Sequence, residues 1–174
     1  NGILIVSFGW EANGTVTSIT YDGIPMILAT GIVSAASEKS FIYYLPDPAT
    51  TGANVVVTSD SSAGNRAGMA AVYATGVSQG TPEATTTGTN GTASLTASSG
   101  ALVIDHAAHN SGASFTGTVG LANQLYFHVA GSDLGASYEV ATSATILGTD
   151  WSSDPAAVVA MASFATAASG SPII

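Results

Sequence analysis

The chain has 174 residues and a mass of 17.1 kDa, with 46% hydrophobic but only 7% charged residues, against about 25% charged in an average globular domain. Two basic residues, Lys39 and Arg66, face eleven acidic ones for a net charge of −9, which leaves no basic stripe for nucleic acid or for an anionic membrane surface. No apolar run approaches the roughly 18 to 20 residues of a bilayer-spanning helix, and no cysteine is present for disulfides, thiolate catalysis or Cys-type zinc sites.

The length suits one domain with a real core. Small hydroxyl side chains stand where a cytosolic enzyme would carry Lys, Glu and Arg, which points to an extracellular surface. The first residue is Asn1 rather than Met, inside an apolar strand-like run, and this raises the expectation of a removed upstream segment such as a signal peptide.

In chain order the hydrophobic period is 2 rather than 3.6. Apolar or β-branched runs over 3–8, 15–21, 24–30, 40–45, 54–58, 68–75, 92–97, 102–107, 124–130, 138–146 and 157–164 predict about ten short strands. Asp22-Gly23 is a hairpin signal, because both central residues of a type I′ turn need positive φ. The Ala-rich stretches 63–74 and 155–168 have helix propensity, but Val72, Tyr73, Val158, Val159 and Phe164 among Gly, Ser and Thr favour strands. The final 157–164 run reads as a buried central strand. Turn clusters at 46–48, 59–65, 87–91 and 131–135 space the strands as in an all-β sandwich or barrel. The expectation is therefore an all-β antiparallel sandwich of jelly-roll type over residues 1–165. It carries no internal repeat in sequence, and a Ser/Gly/Ala tail over 166–174 ends in the apolar tip Pro172-Ile173-Ile174.

The order of segments resembles a β-sandwich module widespread in bacteriophage structural proteins and in bacterial secreted or surface proteins. The resemblance is carried by the opening run 1–11, by 16–23, by the aromatic strand and proline turn over 43–52, by 54–58, by 71–77 with Thr81-Pro82, and by 101–105. It rests on packing residues and covers most of the chain. It implies a fold and no catalytic motif. The resemblance also implies a first strand before Asn1 that this chain lacks, leaving an open edge that a strand from a neighbouring subunit could complete. The apolar tip Pro172, Ile173 and Ile174, or the Asn1 end, is the expected donor.

Candidate chemistry is sparse. Gly76-Val77-Ser78-Gln79-Gly80 has the spacing of a hydrolase nucleophile elbow, but Thr81-Pro82 follows where a helix is required, so no catalytic residue is assigned and no enzyme is expected. His106 and His109, three apart on a strand, diverge to opposite faces, and His128 reads as a packed strand residue. No cofactor is required. If a metal binds, the loops holding Asp150, Asp154 and Asp133 offer the hard oxygen ligands that calcium prefers. Trp151 in an acidic, serine-rich loop, and less so Trp10, could stack on sugar rings. Asn13 and Asn90 begin Asn-Gly-Thr sequons whose Asn-Gly pairs equally suit turns. The reading that follows is a non-enzymatic structural protein whose partner is itself, in a cell-surface filament or sheath or in a phage capsid or tail. The alternative is a glycan-binding or adhesive module, with calcium assisting.

Overall fold

The computed structural model describes residues 2–11, 14–33, 38–49, 52–60, 67–109, 121–127, 133–151, 157–168 and 174. Among them lie 14 strands: β1 (Gly2–Glu11), β2 (Val16–Tyr21), β3 (Ile24–Pro25), β4 (Ile27–Val33), β5 (Glu38–Pro46), β6 (Val55–Ser59), β7 (Ala67–Thr75), β8 (Ala84–Gly88), β9 (Thr92–Ala97), β10 (Leu102–His109), β11 (Asn123–Phe127), β12 (Asp133–Val140), β13 (Thr145–Asp150) and β14 (Val158–Phe164). Every pairing is antiparallel, and no helix occurs among the described residues. The all-β expectation holds, and the Ala-rich stretches contain strands β7 and β14.

Two central sheets pack face to face, with strand orders β4-β5-β1-β7 and β11-β12-β10-β14-β8. Between them Ile3, Ile5, Ile42, Tyr44, Val72 and Ala74 meet Leu102, Ile104, Ala160, Ala162 and Phe164. Side chains alternate across a strand, so Leu4, Val6, Phe8 and Trp10 point the other way. There they pack against Ile19 and Met26 beneath the three-stranded sheet β3-β2-β6. On the far side of the second central sheet, Val103 and Met161 pack against Leu95 and Ala97 of the two-stranded sheet β9-β13. The result is four layers. Strands β10 and β14 are buried at every residue, which is why their sequences read as unbroken apolar runs rather than as alternation.

The central sheets repeat one connectivity that the sequence does not advertise. In each, a long first strand (β1 or β10) is flanked on one side by the second strand of a later hairpin (β5 or β12). On its other side lies the last strand of the unit (β7 or β14). Strands β6 and β13 leave for the outer layers in between. The second sheet then carries an extra strand, β8, on the far edge of β14, whereas among the described residues the first ends at β7. Strand β1 is paired on both sides along its length, so no open edge lies beside β1.

Local geometry follows the turn chemistry. Asp22 and Gly23 have φ of 51° and 74° and close the two-residue hairpin Tyr21↔Ile24. Asn90-Gly91 adopts the same left-handed pair, with φ of 63° and 76°. Three differences from expectation are plain. The 24–30 run breaks at Met26 into β3 and β4, the 138–146 run is the end of β12 and the start of β13, and the Thr-rich segment Ala84–Gly88 is a strand. The last pairs with β14 through its backbone, a demand that composition alone does not reveal.

Candidate functional site

Many of the polar residues that the fold buries lie on β10 and the strands around it, among them Asp105, His106, His109, Ser137 and Ser163. Asp105 sits in mid-strand with 0% exposure, on the face turned away from the other central sheet. Its Oδ1 accepts hydrogen bonds from the Ser137 backbone N–H at 2.8 Å and from the Ser137 hydroxyl at 2.6 Å. Its Oδ2 accepts from the Trp151 indole Nε1–H at 2.9 Å and from the Thr149 hydroxyl. The Ser137 hydroxyl oxygen in turn accepts from the backbone N–H of Leu121 at 2.6 Å. Burial pushes the Asp105 carboxyl above its ordinary range, and these four donors act against that rise. The carboxylate thereby ties β10 to β12, to β13 and to Trp151.

Trp151 is fully buried, which overturns its expected role as an exposed sugar platform. The physical reason is Gly135. An added Cβ there would lie 2.2 Å from Trp151 Cζ3, so only a glycine on β12 leaves room for the indole to lie against the strand. The ring packs with Ala107, Ala157 and Val159, and its N–H donates to Asp105. Trp10 is likewise no platform. It is 6% exposed under the three-stranded sheet, with the Lys39 Nζ 5.1 Å from its ring centroid. Burial lowers the Lys39 pKa, against the opposing fields of Asp60 and Glu38.

On the opposite face of β10, His106 faces β1 and β5. The Ser40 hydroxyl donates to the His106 carbonyl at 2.7 Å, accepts from the Ala160 backbone N–H at 3.2 Å, and lies 3.2 Å from His106 Nδ1. Complete burial lowers the His106 pKa to about 3, so the ring is neutral at physiological pH. Ser40, His106 and Asp105 do not make a triad, since Asp105 and His106 point to opposite faces of β10 and all three are closed to solvent. By the same parity His109 faces away from His106, as the sequence spacing requires.

Ser78 lies just past β7 and its backbone N–H donates to Ala165 O at 2.8 Å. That places it beside Leu102 and Phe164, which pair with each other, at the end of β10 opposite His109. Its hydroxyl oxygen accepts from Gly80 N–H at 3.3 Å, and Thr81-Pro82 then leads into strand β8 with no intervening helix.

The acidic loops are not gathered into one site. Asp150 is exposed on β13, on the face opposite Thr149, and Asp133 opens β12 against His109. Among the described residues no three His, Cys, Asp or Glu side chains converge. Asn90 is exposed at its left-handed turn, and Ile174 is 48% exposed. Asp154, Asn13, His128, Pro172 and Ile173 lie outside the described residues. Glu83, which sequence reading passed over, accepts from Ser98 N–H, Ser98 Oγ and Ser163 Oγ at 3.0, 2.7 and 2.6 Å. Burial raises its pKa, but these bonds outweigh it and leave the carboxyl below its ordinary range.

The three-stranded cover spans the middle of the first central sheet and leaves a groove on either side. One, of about 300 Å³, runs between Leu4, Tyr21 and Tyr73. The other, of about 440 Å³, is lined by Leu28, Val33, Phe41 and Tyr43 with Lys39. Apolar side chains stay exposed along these flanks, among them Leu28 at 51%, Val33 at 54%, Met69 at 43% and Tyr73 at 41%. Comparison with protein-family models, with curated proteins and with solved structures finds no match.

The buried network that joins Asp105 to Ser137, Thr149 and Trp151 is what sequence reading missed. The available signal was a carboxylate inside an apolar strand, Leu102-Val103-Ile104-Asp105, because a buried acid must find donors.

Proposed function

We propose that the chain is a non-enzymatic structural building block, a sandwich of jelly-roll type that assembles with its own copies. The assembly would be an extracellular filament or sheath, or a phage capsid or tail. The observation that carries this reading is the exposed apolar surface, with Leu28, Val33, Met69, Tyr73 and Ile146 between 41% and 71% exposed on a chain that is only 7% charged. Such a surface loses little hydration on contact compared with one bearing ions, and so favours repeated subunit interfaces. Asp105 and Ser40 support the same reading, since their hydrogen bonds hold layers together. Two facing sheets with wholly antiparallel pairing support the sandwich on which the jelly-roll assignment rests. The glycan-binding alternative loses its aromatic platform with the burial of Trp151 and Trp10.

Light scattering coupled to negative-stain electron microscopy tests the proposal, with and without a calcium chelator. Regular polymers or shells are expected. A stable monomer of 17.1 kDa in both conditions would sink self-assembly. Dissociation by the chelator would assign the acidic loops to cation binding, where a divalent ion relieves the repulsion of a chain at −9.

A further inference from the structure

We infer that the open edge of β7 docks against the β7 edge of a second copy, antiparallel and centred on Ala71. The inference rests on the self-assembly reading and names the strand that it uses. Strand β7 pairs with β1 on one side through a continuous register from Gly2↔Thr75 to Trp10↔Ala67. Among the described residues no strand pairs with its other side, which leaves a row of backbone donors and acceptors for an incoming strand.

The repeated connectivity shows what belongs there. Strand β14 holds the place in the second sheet that β7 holds in the first, and its far edge is filled by an antiparallel strand from Val159↔Gly88 to Ser163↔Ala84. Three other edges carry features that discourage pairing. The register of β4 shifts between Leu28 and Thr30, that of β11 shifts between Gln124 and Tyr126, and β3 is two residues long with Pro25. By contrast, β7 runs for nine residues, Ala-Gly-Met-Ala-Ala-Val-Tyr-Ala-Thr, with no proline, charge or register shift.

The strand's own sequence points to a second copy as the occupant. Two chains at −9 each repel, and β7 is a surface that they can share without placing like charges opposite one another. Its sequence is also self-complementary about Ala71. In that register Met69 of one copy faces Tyr73 of the other, and Ala67 faces Thr75. Met69 and Tyr73 are 43% and 41% exposed, and a thioether beside an aromatic ring is a favourable contact. Pairing would run two four-stranded sheets into one continuous sheet.

Two variants test this in the full chain. Ala71 is exposed, so Ala71→Lys leaves the core alone while setting like charges against each other at the twofold centre. Its particle mass is expected to fall to half the wild-type value or less, with unchanged thermal unfolding. Ala71→Cys exploits the absence of native cysteine. Under mild oxidation it is expected to form a covalent dimer at least tenfold faster than Ser143→Cys in the exposed β12–β13 turn. Wild-type mass in Ala71→Lys, or equal cross-linking at the two cysteine positions, would overturn the β7 contact while leaving self-assembly standing. A wild-type chain that stays monomeric at every concentration would overturn both.

Discussion

In the second central sheet the far edge of β14 is closed by β8 and the outer face is pinned by the Asp105 carboxylate. In the first, β7 ends the sheet among the described residues, and the outer cover rests on Ile19 and Met26 against Leu4, Val6 and Phe8. The same strand connectivity is thus finished in two ways. Directional polar bonds fix one cover in a single register, and nondirectional apolar contact holds the other. The polar solution costs desolvation of a carboxylate and is stable only while every donor is in place. The apolar one tolerates exposed flanks, among them Leu28, Val33, Met69 and Tyr73.

Breaking the pinned side should have the largest effect. Trp151→Ala removes a fully buried indole and orphans an Asp105 oxygen, so a loss of about 5 to 6 kcal/mol is expected in urea unfolding. An exposed sugar-stacking residue would leave stability unchanged. Ile19→Ala on the apolar cover should cost about 3 kcal/mol by the same measurement, which gives the contrast between the two sides a number. Adding Asp105→Ala to Trp151→Ala should cost less than the sum of the single changes, because both remove the same bond.

Acid sharpens the comparison next, because His106 lies between the two central sheets. Its pKa falls from 6.5 to about 3 on folding, so between these values the unfolded chain binds a proton that the folded chain refuses. Stability contributed by the neutral ring is therefore complete above 6.5 and is lost as pH drops toward 3, by on the order of 5 kcal/mol in all. Asp105 works in the opposite sense. Its raised pKa means that the folded chain holds a proton above 3.8 that the unfolded chain has released, so its share of stability grows as pH falls. Thermal unfolding between pH 7 and pH 4 should show a net loss that His106→Gln flattens. An unchanged slope in that variant would mean that another group governs the acid response.

The smallest effect lies at the surface. Asn90 holds φ of 63°, and Asn90→Ala should cost about 1 kcal/mol through left-handed strain while Asn90→Gly is neutral. A glycan on Asn90 would show as a mass difference instead, leaving the turn intact.

Much of this architecture was legible in the residues. The run 157–164 reads as a buried central strand because Val, Met and Phe there alternate with nothing polar larger than Ser163. Asp22-Gly23 marks a hairpin because few other pairs accept two positive φ values. The position of Trp151 was not legible. Its flanking Asp150 and serines describe a loop that looks solvated, and the slot that takes the ring is created by Gly135 on a different strand. The self-complementary edge was hidden for a similar reason, since Ala67–Thr75 reads the same whether it lies inside a sheet or at its border.

The sequence by itself determined that the chain is all-β, low in charge and without cysteine chemistry, since period, composition and turn residues act over a few positions and need no partner. Only the tertiary structure decided which strands meet, where Asp105 finds its donors, and which strands end each sheet among the described residues. Both edges of a strand carry the same backbone groups, so pairing is chosen by the layers that cover each face. Those layers are assembled from residues far apart in the chain, as Ser40 and Ala160 are where they join the two central sheets.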